Sequence, residues 1–178
     1  NFKYILVFLN SKISNHFLKI LAPTINYQVG DIRNLPLIIC NLNTSFPDYC
    51  IQLSKNDWDS RETSWDFEQS PLLNTANTLE EAYLTWQNQV TTDFFQLHAN
   101  EEELNRIFIN IYGLQEELTP EVALKDITIL QEELNKKDLE NLEVSFRENG
   151  ANPIALPINK TEVISQFISY AIGLFMGR

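Results

Sequence analysis

The residues that could carry chemistry in this sequence are few and widely spaced. His98 lies four residues before Glu102, a spacing that would place two metal ligands on one face of a helix. The acidic run 101–103 favours a different interpretation, a solvated helix face. Asp57 and Asp59 could act as a carboxylate pair in acid–base chemistry, but nothing close to them in the sequence would raise the pKa of one member.

The remaining catalytic signals are also weak. His16 lies in an apolar segment and is interpreted as a packed or interfacial histidine. The sequence contains no glycine-rich phosphate loop, no paired cysteine ligands and no nucleophile elbow. We therefore predict no catalytic, metal-binding or cofactor-binding residue within this chain.

One set of residues has the chemistry to contact a nucleic acid. Three basic side chains could reach phosphate oxygens, and two amides close to them could read base edges. These five candidates are Lys12, Lys19, Asn26, Gln28 and Arg33. The two amides alternate with apolar residues over 24–32, so a strand there would present both on one face.

A long helix is the clearest structural element that the sequence predicts. Apolar residues recur at a step of seven from position 83 to position 111, beside a second apolar row formed by Leu79, Trp86, Phe94 and Phe108. Thr78 and Glu81 form a capping box, and Gly113 follows the last periodic residue, where a left-handed cap is favoured. These limits predict a helix of about 34 residues, roughly 50 Å long.

Shorter elements flank this helix. Alternation over 24–32 and a short run over 35–39 predict two strands, and residues 41–74 are interpreted as an ordered strap anchored by Trp58, Trp65 and Phe67. Helical segments are expected from Thr119-Pro120, within 127–147 and over 161–175. The predicted fold class is mainly α (α+β), with a long central helix, flanking helices and a small β element near the N-terminus.

Composition limits the partners. The formal charge is −11, divided between a net +2 over residues 1–61 and a net −13 over residues 62–178. Because the acidic part repels phosphate, only the first third is suited to nucleic acid. Cys40 and Cys50 match no metal pattern, and no signal peptide or membrane span is evident, so a reduced, cytoplasmic protein is expected. The apolar ends suggest a piece of a larger protein.

Four blocks of sequence carry a resemblance to a known family. The first is Leu9–Lys12 with Pro23–Ile32 and Leu35-Pro36, and the second is Asp57–Ser60 with Glu62–Phe67. The third, NEEELNRIFINIYGLQEEL, covers residues 100–118, and the fourth covers 168–173 with 176–178. In this order they resemble the C-terminal region of PglX-like adenine-specific DNA methyltransferases of BREX phage-defence systems and of related fused type II restriction–modification enzymes.

The resemblance implies an enzyme that transfers a methyl group from S-adenosylmethionine to adenine in a defined DNA sequence. The chain lacks a glycine-containing cofactor loop and an Asn-Pro-Pro-Tyr type motif, so S-adenosylmethionine and catalysis are expected elsewhere in the parent enzyme, the longer protein. Residues 1–75 then represent the end of a target-recognition-like region with the aromatic strap, and residues 76–178 an acidic helical region. The alternative is a helical interaction module that docks the catalytic domain or another defence protein without contacting DNA.

Overall fold

A computed structural model describes residues 2–23, 26–40, 45–73, 76–150 and 155–177. Within these ranges the chain is mainly helical, which confirms the predicted class. The helices are α1 (Phe2–Leu9), α2 (Lys12–Leu21), α3 (Val29–Arg33), α4 (Ser45–Asp59), α5 (Leu79–Tyr112), α6 (Lys136–Asn149) and α7 (Lys160–Phe175), with a short 3₁₀ helix at Leu124–Asp126. None of the described helices is long and apolar enough to cross a membrane.

Helix α5 is the predicted long helix, and it runs for 34 residues. The Thr78 hydroxyl accepts a hydrogen bond from the Glu81 backbone N–H at 3.2 Å, as the capping box requires. The Glu81 carboxylate accepts a hydrogen bond from the Asn77 N–H, one residue before the Thr78 N–H that a capping box would use. Gly113 ends the helix with φ +66°, a left-handed conformation that glycine adopts without steric cost.

The apolar rows of α5 are mostly confirmed. Phe94 and Phe108 are completely buried, and Leu97 and Leu104 are nearly so. Leu79 is an exception, because it is 43% exposed in the first turn. The periodic pattern therefore identified the core-facing side of the helix except at its N-terminal end.

The chain forms two compact units, with α5 beginning in one and ending in the other. Unit 1 comprises Asn1–Ile51 and Ala99–Val122, and unit 2 comprises Gln52–His98 and Ala123–Arg178. In unit 1, Phe108 of α5 packs edge-on against the rings of Tyr4 and Phe8, with centroids 5.7 and 5.8 Å away. The predicted division of roles between residues 1–75 and 76–178 concerns function rather than packing and stays a prediction.

The predicted β element is not present in the described residues. Residues 24 and 25 lie outside them, and the following residues form a loop that leads into α3. The Asp31 carboxylate accepts a hydrogen bond from the Gln28 N–H at 2.8 Å, so a local helix cap satisfies a backbone donor that a strand would give to a neighbour. The alternating pattern was misleading because no described strand lies alongside.

The run 35–39 is not a strand either, because tyrosine hydroxyls occupy its backbone groups. The Tyr112 hydroxyl accepts from the Ile38 N–H at 3.0 Å and donates to the Pro36 carbonyl oxygen. The Tyr4 hydroxyl donates to the Ile38 carbonyl oxygen. The segment is thus extended along the helices of unit 1 without a strand partner.

The described part of the segment 41–74, residues 45–73, differs from the predicted strap. Residues 45–59 form helix α4, and the loop after it places Phe67 against Tyr170 of α7, with ring centroids 5.6 Å apart. Trp58 and Trp65 are exposed, the latter completely, so they are not anchors. Sequence patterning missed α4 because Leu53 is its deeply buried apolar residue and no regular apolar row accompanies it.

The remaining helices agree with the sequence in part. Helix α7 is confirmed, and the Asn159 side chain caps it by accepting from the Thr161 N–H at 3.1 Å. Helix α6 begins within the predicted segment 127–147 and ends two residues beyond it. The helix expected to start at Thr119-Pro120 does not form, and the Glu102 carboxylate instead accepts from the Val122 N–H at 2.9 Å.

Candidate functional site

The five predicted DNA-binding residues all lie in unit 1, on α2, on α3 and in the segment between them. Lys12 is the first residue of α2 and is already engaged within the protein. Its Nζ donates to the Glu121 carbonyl oxygen, and its backbone N–H donates to the Asn105 side chain at 2.9 Å. A phosphate would therefore have to compete with a neighbouring carbonyl group for the Lys12 ammonium.

His16 lies one turn after Lys12 on the same face of α2. Its Nε2 is 3.7 Å from the Glu117 carboxylate, and its ring packs edge-on against Phe17 at 5.8 Å. This environment matches the interpretation of His16 as a packed histidine. Together, Lys12 and His16 direct one face of α2 towards the acidic segment after α5.

Lys19 and Arg33 are exposed at the C-terminal ends of α2 and α3. The negative end of a helix dipole stabilises a basic side chain at this position, so both residues have a local structural reason to be there. Both remain open to solvent. They are therefore the predicted phosphate-binding side chains with the best access to a partner.

The two predicted base-reading residues do not share a strand face. Asn26 is exposed in the loop before α3, and Gln28 is the N-cap residue of that helix. The expectation that a strand presents both amides on one face is therefore wrong. Their role in reading bases stays a prediction that rests on their chemistry and exposure.

The fold also changes the charge around this set. Because residues 99–122 pack with the first 51 residues, unit 1 contains five Lys/Arg and eight Asp/Glu, a net charge of −3. The sequence alone had assigned a net +2 to the first third of the chain. The predicted DNA-binding residues therefore belong to a weakly acidic unit, and any attraction to DNA must be local.

A buried ionic network in unit 2 was not predicted. The Arg61 guanidinium donates to the Asp57 carboxylate at 2.7 Å and to the Glu133 carboxylate at 2.9 Å. Their side chains are only 10%, 16% and 4% exposed, in the order Arg61, Asp57 and Glu133. The other Asp57 oxygen accepts from the Leu130 N–H at 2.9 Å. The network thus joins the end of α4 to the segment 129–134.

The electrostatics of the network keep Arg61 charged. Burial opposes its charged form, but the hydrogen bond to Asp57 and the charges of Asp57, Glu133 and Glu132 outweigh burial and raise the pKa of the guanidinium. The Glu133 carboxylate also accepts from the Gln166 side chain at 3.2 Å, which ties α7 to the same centre. The arrangement is a structural ion cluster rather than an acid–base pair.

Asp57 and Asp59 have separate partners. Asp59 accepts from the Ser64 hydroxyl at 2.7 Å and from the Lys55 ammonium at 2.5 Å. The Lys55 hydrogen bond, followed by that of Ser64, lowers the pKa of Asp59. Since each carboxylate is held by its own cationic partner, the two do not share a proton as a catalytic dyad would.

A cavity of about 450 Å³ lies beside the Arg61 network. Residues from α4, α5 and α7, the loop 60–72 and the segment 129–133 line it, and all of them belong to unit 2. Its wall is largely apolar and aromatic, with Trp86, Phe167 and Tyr170 among the lining residues. Asp57 and Ser60 line the cavity, and both belong to the second sequence block that resembles PglX-like methyltransferases.

The His98–Glu102 pair shows no metal-site geometry. The His98 side chain is buried and packs at right angles to the Phe146 ring, 5.0 Å away. Over the described parts of the chain, no three His, Cys, Asp or Glu side chains are grouped so that they could hold a metal ion.

Comparison with known proteins confirms the resemblance that the sequence predicted. The adenine-specific methyltransferase PglX of Lacticaseibacillus casei (strain Zhang) is 37% identical over 98% of this chain. The adenine-specific methyltransferase BrxX of Escherichia coli O9:H4 (strain HS) is 29% identical over 98% of it. The chain spans 13% and 14% of these two relatives, respectively. No family model matches the chain.

Proposed function

We propose that this chain is a non-catalytic part of an adenine-specific DNA methyltransferase of a phage-defence or restriction–modification system, in which it supports DNA target recognition. The observation that carries the proposal is the similarity to two proteins named adenine-specific methyltransferases, which extends over 98% of the chain. The parent enzyme would use S-adenosylmethionine and act on double-stranded DNA in the cytoplasm.

Methyl transfer itself is assigned to other parts of the parent. The cofactor loop and the Asn-Pro-Pro-Tyr type motif that such chemistry requires are missing from the 178 residues. The isolated chain should therefore bind no S-adenosylmethionine. A calorimetric titration that detected micromolar affinity would contradict this assignment.

Within unit 1, the proposed DNA contacts are the exposed Lys19 and Arg33, with Lys12 in a secondary role because its ammonium is already bonded. Contacts from these side chains to phosphates position a protein on DNA but do not distinguish sequences. The exposed Asn26 and Gln28 side chains would supply discrimination between bases. Their closeness in the chain to Arg33 supports a common surface.

The test is a salt titration of DNA binding by the full-length methyltransferase. Lys19→Ala with Arg33→Ala should weaken binding to all sequences and reduce the slope of log affinity against log salt by about two, since each lost phosphate contact contributes about 0.9. Lys12→Ala should reduce it less. Gln28→Ala should chiefly reduce discrimination between cognate and non-cognate sites.

The matched control is Lys136→Ala with Lys137→Ala, which removes two exposed lysines from the first turn of α6 in unit 2. This double variant should leave the slope unchanged. If the Lys19/Arg33 variant and the control give the same slope as the wild type, the proposed DNA surface is wrong.

The alternative is an interaction module that docks the catalytic domain or a second defence protein. It is supported by α7, where Ile168, Ile172 and Phe175 form an exposed apolar row at helical spacing. Ile172→Ser should then reduce association with the separately expressed catalytic region while leaving the DNA salt slope unchanged. The two functions therefore predict losses in different measurements.

A further inference from the structure

We propose that the exposed side of α1 is a docking surface on which another part of the parent methyltransferase packs, through an apolar helix. The inference rests on one part of the proposed function, namely that this chain belongs to a longer methyltransferase. It is separate from the apolar row of α7, which lies in unit 2. Helix α1 has the sequence FKYILVFL, in which Lys3 is the only residue without an apolar or aromatic side chain. A helix that is apolar on all sides is typically covered on all sides.

The core of unit 1 covers one side of this helix. The residues buried there are Tyr4, Val7 and Phe8. The other side is formed by Phe2, Ile5 and Leu9, which are 78%, 43% and 37% exposed. Because an α-helix turns about 100° per residue, these three side chains lie within roughly 60° of one another and opposite the buried set. One apolar side of α1 therefore lacks a cover within the described residues.

The spacing of the exposed row favours a helix as its partner. Phe2, Ile5 and Leu9 succeed one another at steps of three and four, the pattern by which one helix packs along another. The segment 37–39 adds to the apolar surface of unit 1. The Tyr4 hydroxyl donates to the Ile38 carbonyl oxygen, so this segment is bonded to α1, and its three side chains are exposed. Several exposed apolar side chains on neighbouring elements indicate an interaction site, whereas single ones are common on any surface.

A membrane is a poor match for this surface. Eight helical residues extend about 12 Å, which is far less than a hydrocarbon core of about 30 Å. A helix that lies in the membrane interface needs basic side chains beside its apolar face. The one basic side chain of α1, that of Lys3, forms an ion pair with Asp48, and unit 1 has a net charge of −3. Protein is therefore the cover that this chemistry favours.

The remainder of the same polypeptide is the occupant to which the proposal commits. The chain spans only 13% and 14% of its PglX and BrxX relatives, which it matches over 98% of its own length. Most of the parent methyltransferase therefore lies outside these residues. Covalent connection holds that part near unit 1 at an effective concentration on the order of millimolar, an advantage that a second copy or a separate protein does not have.

The test measures alkylation of an engineered thiol in the full-length methyltransferase, purified alone. Ile5→Cys places the thiol on the docking surface, and N-ethylmaleimide labelling at that position is quantified by mass spectrometry in the native and the urea-unfolded enzyme. We expect native labelling to be at least about tenfold slower than labelling in urea, because the docked helix excludes the reagent. The same ratio is expected at about 0.5 µM and about 50 µM enzyme, since docking within one chain does not depend on concentration.

Leu84→Cys is the matched control. Leu84 is 51% exposed on α5, and Glu80, Glu81 and Asn88 flank it at helical spacing, so it is a single apolar residue on a polar surface. Its thiol should be labelled in the native enzyme within about threefold of the rate in urea. Native labelling of Ile5→Cys as fast as that of Leu84→Cys would overturn the proposal. Protection that appears only at the higher enzyme concentration, or only with added phospholipid vesicles, would also overturn it, because a second copy or a membrane would then be the cover.

A second pair of variants separates docking from packing within unit 1. In the background Leu9→Cys, Phe2→Asp places a charge on the docking surface and should raise native labelling at least about fivefold, because a charge is costly to bury. Phe2→Leu keeps an apolar side chain and should leave the labelling unchanged. Equal labelling in the two variants would show that unit 1 itself protects the site, and would overturn the proposal.

Adenine methylation of DNA by the same full-length enzyme tests the proposed function separately. An active enzyme in which the thiol of Ile5→Cys reacts freely refutes only the docking surface. An enzyme that transfers no methyl group from S-adenosylmethionine to DNA refutes the proposed function, whatever the labelling shows.

Discussion

The sharpest prediction concerns Arg61→Met, which removes the cation from the buried network but retains most of the side-chain volume. The Glu133 and Asp57 carboxylates would stay 4% and 16% exposed without their cationic partner. Breaking a buried ion pair in this way costs about 3–5 kcal/mol, because a charge is left uncompensated. The Leu130 N–H and the Gln166 amide would still bond these carboxylates, so we expect about 3 kcal/mol.

The measurement is urea unfolding followed by circular dichroism, with the slope checked for a single transition. Arg147→Met is the matched control, because Arg147 forms an ion pair of 2.7 Å with Glu143 one turn away on α6 and is 34% exposed. Pairs of this type contribute only about 0.3–0.5 kcal/mol. The control variant should therefore lose far less stability than the Arg61 variant.

A double-mutant cycle separates the charge effect from packing. Adding Glu133→Gln to Arg61→Met removes the more deeply buried of the unpaired charges and should restore about 1–2 kcal/mol, a favourable coupling typical of residues in direct contact. Two results would contradict this role of the network in unit 2. The first is a loss of stability in Arg61→Met no larger than that in Arg147→Met. The second is a double variant, Arg61→Met with Glu133→Gln, that is less stable than Arg61→Met alone.

Three further predictions test the packing, a helix cap and a partly buried thiol. Leu104→Ala should lower the free energy of unfolding by about 2–5 kcal/mol in a chemical denaturation series, because Leu104 is buried in the core of unit 1. The control Leu84→Ala, at a 51% exposed site on the same helix, should lower it by less than about 0.5 kcal/mol. Asn159→Ala should lower stability by about 1 kcal/mol, and Asn159→Asp, which keeps the cap, should not; equal losses would contradict the cap. Burial raises the pKa of Cys50 to about 11, so in a Cys40→Ser background its alkylation at pH 8 should be about a hundredfold slower in the folded than in the urea-unfolded chain. Equal alkylation rates in the two states would contradict the partial burial of Cys50. Because the folded state holds the thiol proton more tightly than the unfolded state, the free energy of unfolding should also fall as the pH rises from 9 towards 11.

Part of the candidate site follows from residue chemistry alone. Lys19 and Arg33 are basic residues in the less acidic third of the chain, and the structure leaves both exposed. Lys12 has the same chemistry, but its ammonium donates to the Glu121 carbonyl oxygen, 109 residues away in the chain. Composition identifies residues able to bind phosphate, whereas distant partners in the chain decide which of them remain available.

The sequence by itself determined the elements whose signals are local. Helix α5 was defined by an uninterrupted apolar period and by a cap residue at each end, and α7 by its apolar face. Both are confirmed because hydrogen bonds within a helix join residues four apart, so their preferences can be read from a short window. The resemblance to PglX-like methyltransferases could also be recognised from the sequence, because it lies in blocks of consecutive residues.

Only the tertiary structure decided the features that depend on distant partners. The sequence predicts strands over 24–32 and 35–39, yet in the described residues a local cap on α3 and hydroxyls from α1 and α5 bond the backbone instead. Arg61 and Glu133 are 72 residues apart, and neither has a sequence signal for burial. Strand pairing and buried ion pairs require partners that a local pattern does not contain, so the fold had to bring them together.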